Sequence, residues 1–444
     1  MDTPAPDGLL LVEQFFRSLG EQGIAYCLLR NADEVERGDA HDVDMTVERS
    51  RLREAEQLLF RAAEATGWLP QMRTGSAADG VYIKCYHFYR RTTAGELLLA
   101  HFDIFPTYAW NGRVLLDNAQ LLEGAETQGL YRKAHPAVEA VTKLFIRLLF
   151  NGAVKEKYKP SVRAVFAAER EAVLSCMGHF LSPAAASAVY EDVAAERWQT
   201  IEQRRAALVR EIHAHARGQR LAYGRYLLRK LLHRAAPIIA FEGTDGSGKT
   251  TIIQALPQLL SHTFDEGLTH CYHWRPGFLV PEAKRNADGS AADASRPHEL
   301  PPRGFCASLL RLGVFAADYI LGYWCRAYRQ AAKGHLVIFD RYYEDFFLDK
   351  KRYRLSLPDG LLSLVYAFIP KADITFLLMG DAETIYRRKK EIPAAEVQEQ
   401  LNRLSALRTR VKNPVVIDVN QPIPAVVQSV GMALMQYLNQ RHHS

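Results

Sequence analysis

The sequence predicts a mixed α/β protein of two or three domains, the last of them a parallel sheet flanked by helices. Three observations point there. The chain has 444 residues, and a single core seldom grows past ~250. An apolar run, Ile238-Ile239-Ala240-Phe241, enters Gly243-Thr244-Asp245-Gly246-Ser247-Gly248-Lys249-Thr250-Thr251 and leaves through a helix-compatible Ile252-Ile253-Gln254-Ala255-Leu256. A second buried-strand run, His335 to Asp340, ends in a carboxylate about ninety residues after that loop. The expected division is an α+β domain over 1–135, a helical connector over 136–235 and the loop-bearing α/β domain over 236–444.

The totals exclude several classes. Composition is that of a folded globular protein, 48% hydrophobic and 24% charged, and the net charge of +6 suits anionic ligands without suggesting a nucleic-acid partner. Cys27, Cys85, Cys176, Cys271, Cys306 and Cys325 show no paired spacing for zinc or a disulfide framework, which fits a reducing cytoplasm. The N-terminus lacks the basic and apolar regions of a signal peptide. The longest apolar stretch, Phe305 to Trp324, is interrupted by Arg311 and Asp318, so a buried helix is expected rather than a membrane span.

In chain order, residues 8–20 read as an amphipathic helix and Ile24 to Leu29 as a short buried strand. Asp42-Val43-Asp44-Met45-Thr46-Val47 alternates like a half-buried strand, with Asp42 and Asp44 sharing one face. After a helix near 50–66, strand-like runs Val81 to Arg90 and Glu96 to Phe105 form an expected hairpin around Thr92-Thr93-Ala94-Gly95, the second run carrying Asp103. Ala137 to about Arg234 is helical in pattern. Its last part, Arg217 to Arg234, is basic and amphipathic, and such a helix can lie on an anionic membrane surface or simply connect domains. Asn286 to Asp293 reads as a mobile loop.

The chemistry follows from residue types. A polyphosphate is held by backbone N–H groups in one concavity, which side chains at Gly243, Gly246 and Gly248 would obstruct. Lys249 would place a charge at the β and γ phosphates, and Thr250 would offer its hydroxyl to Mg²⁺. Asp340 would hold the same Mg²⁺ from a rigid strand end. ATP and Mg²⁺ are therefore the expected cofactors. In the front domain, Asp42, Asp44 and Asp103 could hold two Mg²⁺ ions.

Two resemblances extend this reading. The order helix, strand, Asp42-x-Asp44 strand, helix, Asp103 strand resembles the DNA polymerase β type nucleotidyltransferase superfamily over about residues 8–115. It departs where that superfamily has Gly-Ser, here Arg30-Asn31, with Gly38 the nearest glycine. Phe241 to Thr250 with Asp340-Arg341-Tyr342 resembles the thymidylate kinase family over about residues 236–440. By that resemblance Arg275 and Arg341 grip the acceptor, Asp245 faces it, and Arg387 and Arg388, with Lys389 and Lys390, close on the transferred phosphoryl group. Gln421-Pro422-Ile423 resembles the turn beside the adenine. The match breaks at Tyr343-Glu344-Asp345 and at Tyr319, where the family reads thymine, which favours other acceptors.

The pairing of the two resembles proteins of bacterial cell-surface polysaccharide gene clusters and implies a sugar- or glycan-related acceptor. Three alternatives stand beside that reading: a dTMP kinase, a nucleotide-sensing regulator, and a working front-domain nucleotidyltransferase. Oligomeric state is left open.

Overall fold

The computed structural model describes residues 7–37, 42–74, 83–92, 97–129, 131–232, 234, 236–260, 269–279, 303–389 and 393–443. Gly38, the turn at 93–95, the loop at 286–293 and Lys390 lie outside them. The chain divides into two compact units, residues 1–229 with 439–444, and residues 230–438.

The first unit is built on a mixed sheet whose strand order, among the described residues, is Leu69–Thr74, Lys84–Arg91, Leu97–Ile104, Asp42–Val47, Tyr26–Leu28, Tyr131–Lys133, Glu126–Gln128. The hairpin runs pair antiparallel, and Asp42–Val47 lies parallel to Leu97–Ile104. Helices Asp7–Glu21 and Leu52–Ala65 cover one face, burying Leu11, Phe15, Leu19 and Leu59 against Val43, Met45, Phe102 and Ile104. The Asp42–Val47 strand is not half-buried as its alternation suggests. Asp44 and Thr46 on its other face are buried too: Arg30 ion-pairs with Asp44, and the Thr46 hydroxyl donates to the Phe105 carbonyl and accepts from Asn118.

The helices expected as a connector share one core with strand and loop residues of this unit. Val141, Leu144, Phe145 and Leu148 of helix Pro136–Asn151 cluster with Cys27, Leu29, Phe105 and Trp110. The basic segment forms a helix over Arg220–Leu232, where Leu221, Arg225, Leu227, Leu228 and Leu232 are exposed. Before it, Arg217–Gly218 pairs with the Arg113–Leu116 strand.

The second unit is an all-parallel sheet ordered Thr269–His273, Leu336–Asp340, Ile238–Gly243, Ile374–Met379, Pro414–Asp418, flanked by helices. The central strand is buried throughout, as its unbroken apolar run requires. Its start is clamped by Asp373, whose carboxylate accepts from the Ile238 amide at 2.7 Å and from Arg234 at 2.7 Å.

The apolar stretch at 305–324 forms helix Phe305–Gly322, extended by a π-helical turn over Tyr323–Tyr328. It is only half-buried, which corrects the expectation of a buried helix. Leu312, Phe315, Asp318 and Tyr319 face the core, while Phe305, Leu310, Leu321 and Trp324 are exposed. By length and composition the helical run Phe305–Lys333 could cross a membrane.

Candidate functional site

The site of the second unit follows from strand register. Phe241 pairs with Asp340, and Asp340 with His273, so three parallel strands end at one level, the crevice where open α/β sheets bind ligands. The loop after the central strand turns through Gly246 and Gly248, both at φ +86°. A Cβ at Gly246 would meet the Ile385 carbonyl at 2.8 Å, so only glycine fits there. Helix Lys249–Leu259 then begins at the cavity edge and adds the partial positive charge of its N-terminus.

The cavity has a volume of about 610 Å³ and is lined by the loop from Asp245 to Thr251 except Ser247, by His273, Asp340, Arg341, Arg352, Arg388 and Lys389, and by Gln421, Pro422 and Ile423. Five cationic side chains therefore face two carboxylates, Asp245 and Asp340. The excess favours a multiply charged anion.

Lys249 is buried, its ammonium donating to the Gly243 carbonyl at 2.7 Å and the Thr244 carbonyl at 2.8 Å. Burial, reinforced by Arg341, lowers its pKa to about 7. Asp340 Oδ2 lies 3.3 Å from His273 Nδ1, while Oδ1 is buried and accepts no hydrogen bond from the described residues. Burial alone would raise the Asp340 pKa; His273 and Lys249 outweigh it and hold it low. An ionised carboxylate with an unpartnered oxygen, lining the same cavity as the exposed Thr250, fits the oxygen donors that Mg²⁺ takes.

Arg341 has a left-handed backbone, φ +73°, rare for a residue with a Cβ. Its amide is tied to the Phe241 carbonyl at 3.0 Å. The side chain runs back over the loop to Asp245 at 2.5 Å and to the buried Asp345 at 2.9 Å. Asp245 also accepts from Arg352. Burial would raise the Asp245 pKa, but Arg341, Arg352 and Lys249 hold it far below the usual carboxylate range.

Three expected residues differ in placement. Arg388 lines the cavity and donates to the Val419 carbonyl at 2.8 Å. Arg387, one position earlier on helix Ala382–Arg388, is 74% exposed, lies 3.1 Å from Glu383 and does not line the cavity. Arg275 is buried, with its guanidinium 3.1 Å from Asp318, whose carboxylate also takes the amides of Gly277 and Leu279. It too is absent from the lining. Tyr319 donates to the Trp274 carbonyl at 2.7 Å and packs edge-on to Tyr342, while Trp274 stacks on Tyr353 at 4.6 Å. Aromatic rings therefore fill the space behind Arg341. Sequence reasoning passed over His273 and Arg352. His273 ends a strand and could have been weighed, whereas Arg352 has no motif around it.

In the first unit, Asp42, Asp44 and Asp103 come together as expected. Asp44 and Asp103 are register partners, and Asp42 pairs with His101. Each carboxylate already has a basic neighbour. Arg30, standing where a Gly-Ser turn was sought, is buried and ion-pairs with Asp44. His101 sits between the other two, Nδ1 at 3.1 Å from Asp42 and Nε2 at 2.8 Å from Asp103. Burial works against the imidazolium, but Asp103 and Asp42 outweigh it and hold the His101 pKa well above its ordinary value. An Arg-paired carboxylate and an intervening imidazole do not make the all-oxygen cage that a pair of Mg²⁺ ions needs.

No protein-family model matches the sequence, and no curated protein matches it. Among solved structures, the chain is similar to thymidylate kinase from Ehrlichia chaffeensis, at 22% identity over 45% of this chain and 98% of that one, with a TM-score of 0.32.

Two outcomes follow. Polyphosphate bound beside Lys249 raises its pKa from about 7, so ATP binding near neutral pH takes up protons relative to Lys249→Met. Calorimetry in buffers of different ionisation enthalpy reads the difference, and equal proton counts for the two proteins exclude it. Asp318→Ala strands a buried guanidinium and two amides and costs about 3–5 kcal/mol in urea denaturation, while Asp318→Leu/Arg275→Met costs less. A purely acceptor-binding Arg275 would instead leave stability unchanged.

Proposed function

We propose that the protein is an ATP- and Mg²⁺-dependent phosphotransferase. The observation that carries this is that the buried Lys249, the carboxylate residue Asp340 and the arginines Arg341 and Arg388 line one cavity. Lys249 and the loop backbone hold the β and γ phosphates, and Gln421, Pro422 and Ile423 border the nucleoside end. Asp340 and Thr250 would hold Mg²⁺, which when bound neutralises charge between those phosphates. Arg388 and Lys389 face the phosphoryl group in flight, where a loose transition state spreads negative charge that guanidinium forks stabilise. Arg387, on the outer helix surface, has no part in this.

The acceptor end is lined by Asp245, Arg341 and Arg352, all charged. Buried aromatic side chains pack Tyr319, Tyr342, Tyr343 and Tyr353 against one another behind it. This wall offers charge-assisted hydrogen bonds rather than an open slot for a flat base. We therefore take the acceptor to be a hydroxyl-rich or phosphorylated sugar or glycan, or a nucleotide held by its sugar and phosphate, in cell-surface polysaccharide biosynthesis.

The test is acceptor-dependent ADP release over nucleoside monophosphates, nucleosides, sugars and lipid-linked glycans, with Lys249→Ala as the blank. Turnover with a sugar or glycan supports the assignment. Turnover with dTMP alone replaces it by a nucleotide kinase, and tight ATP binding without turnover replaces it by a nucleotide-sensing role. Lys249→Ala abolishes transfer in a folded protein, Arg388→Ala lowers kcat by about 10²- to 10³-fold, and Arg387→Ala leaves kcat essentially unchanged.

A further inference from the structure

The first unit carries a second constellation that phosphotransfer does not use. Strand pairing sets Asp42 opposite His101 and His101 opposite His87, and in the next row Asp44 opposite Asp103 and Asp103 opposite Cys85. Residues paired across strands share a face. Six side chains able to bind a metal thus stand in a two-by-three grid on one face of three neighbouring strands. The opposite face carries Val43, Met45, Tyr86, Phe88, Phe102 and Ile104, all in the core. A sheet that turns one face to the core normally turns solvated polar residues outward; here the polar face is largely closed. Cys85, His101 and Asp103 present Sγ, a ring nitrogen and a carboxylate oxygen within 4.8 Å of one another.

We propose that Cys85, His101 and Asp103 bind a Zn²⁺-class transition-metal ion, in place of the Mg²⁺ pair that Asp42, Asp44 and Asp103 suggest by themselves. Three features of the geometry support it. One sulfur, one imidazole nitrogen and one carboxylate oxygen are the donor set of a borderline-soft dication; Mg²⁺ demands octahedral oxygen and binds thiols poorly. Ligands of a tetrahedral Zn²⁺ lie roughly 3.5 Å apart, so the three side chains need only small rotations to close on an ion. The outer partner is also in place. Asp42 lies 3.1 Å from His101 Nδ1, so a metal ion that displaces the Nε2 proton leaves the Nδ1 proton on Asp42 and the imidazole oriented toward the ion. That is the carboxylate, histidine and metal arrangement that orients ligating imidazoles.

Asp44 is held by Arg30 and does not complete the sphere. The fourth position stays open to water or to an anionic oxygen of a ligand, as in sites that do chemistry rather than brace a fold. His87 stacks on His101 with ring centroids 4.1 Å apart and keeps the imidazole in plane.

The experiment uses the full chain with the exposed Cys271, Cys306 and Cys325 changed to serine, titrated with Co²⁺ as a spectroscopic probe. Stoichiometric binding is expected, with visible d–d bands and a thiolate-to-metal charge-transfer band, displaced by Zn²⁺ and unaffected by excess Mg²⁺. Cys85→Ser removes the charge-transfer band, and His101→Gln abolishes binding. Asp42→Asn weakens binding by about 10–100-fold while keeping the band. Circular dichroism of each variant separates loss of metal from loss of fold. A parent protein without a charge-transfer band, or one whose band survives Cys85→Ser, overturns the proposal. ADP release from the second unit is an independent measurement and is unaffected by either result.

Discussion

The second unit depends on one constraint: the central strand Ile238–Gly243 lies in parallel register between Leu336–Asp340 and Ile374–Met379. Parallel strands end at a common level, so the loop after Gly243, the carboxylate of Asp340 and the turn into helix Ala382–Arg388 arrive together without any of them having to reach. Both ends of the central strand are secured by carboxyl groups, Asp373 on the Ile238 amide and the buried Glu242 on the Tyr342 amide at 2.7 Å. Burial, with Asp345 and Glu344 nearby, pushes the Glu242 pKa well above the ordinary range. A sideways slip of one residue would misplace the site and strand these groups.

Buried charge organises what the register assembles. Arg341 lies between Asp245 and Asp345, and its guanidinium reaches both because the backbone turns left-handed at that residue. The unusual φ is thus the condition for an arginine, rather than a glycine, to line the cavity beside the glycine-rich loop. Arg275 and Asp318 play a structural part in the same unit, pinning the 275–279 segment to the long helix. Two arginines of similar sequence prominence thereby take different tasks, one at the cavity and one in the packing behind it.

The carboxylates of the two units have different surroundings. One buried oxygen of Asp340 takes no hydrogen bond from the described residues. Asp44 is closed by Arg30, and Asp42 and Asp103 by His101. The same residue type is therefore left with an unpartnered oxygen in one place and is part of a mixed nitrogen, oxygen and sulfur cluster in the other. The identity of the neighbours decides this, since their charge and hydrogen bonds select which form of the carboxyl persists.

The strand, glycine-rich turn and helix around Lys249, and the strand that ends at Asp340, were legible from the sequence because their signals are contiguous. Pattern also revealed the hairpin at 84–104 and the helices after Pro136, since period and punctuation are local. What stayed hidden depends on pairing across the chain. Arg352 reaches Asp245 from 107 residues away, Arg275 turns inward because Asp318 captures it, and Arg387 and Arg388 separate because adjacent helix positions point about 100° apart. Cys85 meets Asp103 only through strand register, so cysteine spacing along the chain could not show it. The sequence by itself determined which side-chain chemistry was on hand and where the glycine-rich loop lies. The tertiary structure alone decided which side chains share a site, because donors converge through sheet register and burial, neither of which is a property of neighbouring residues.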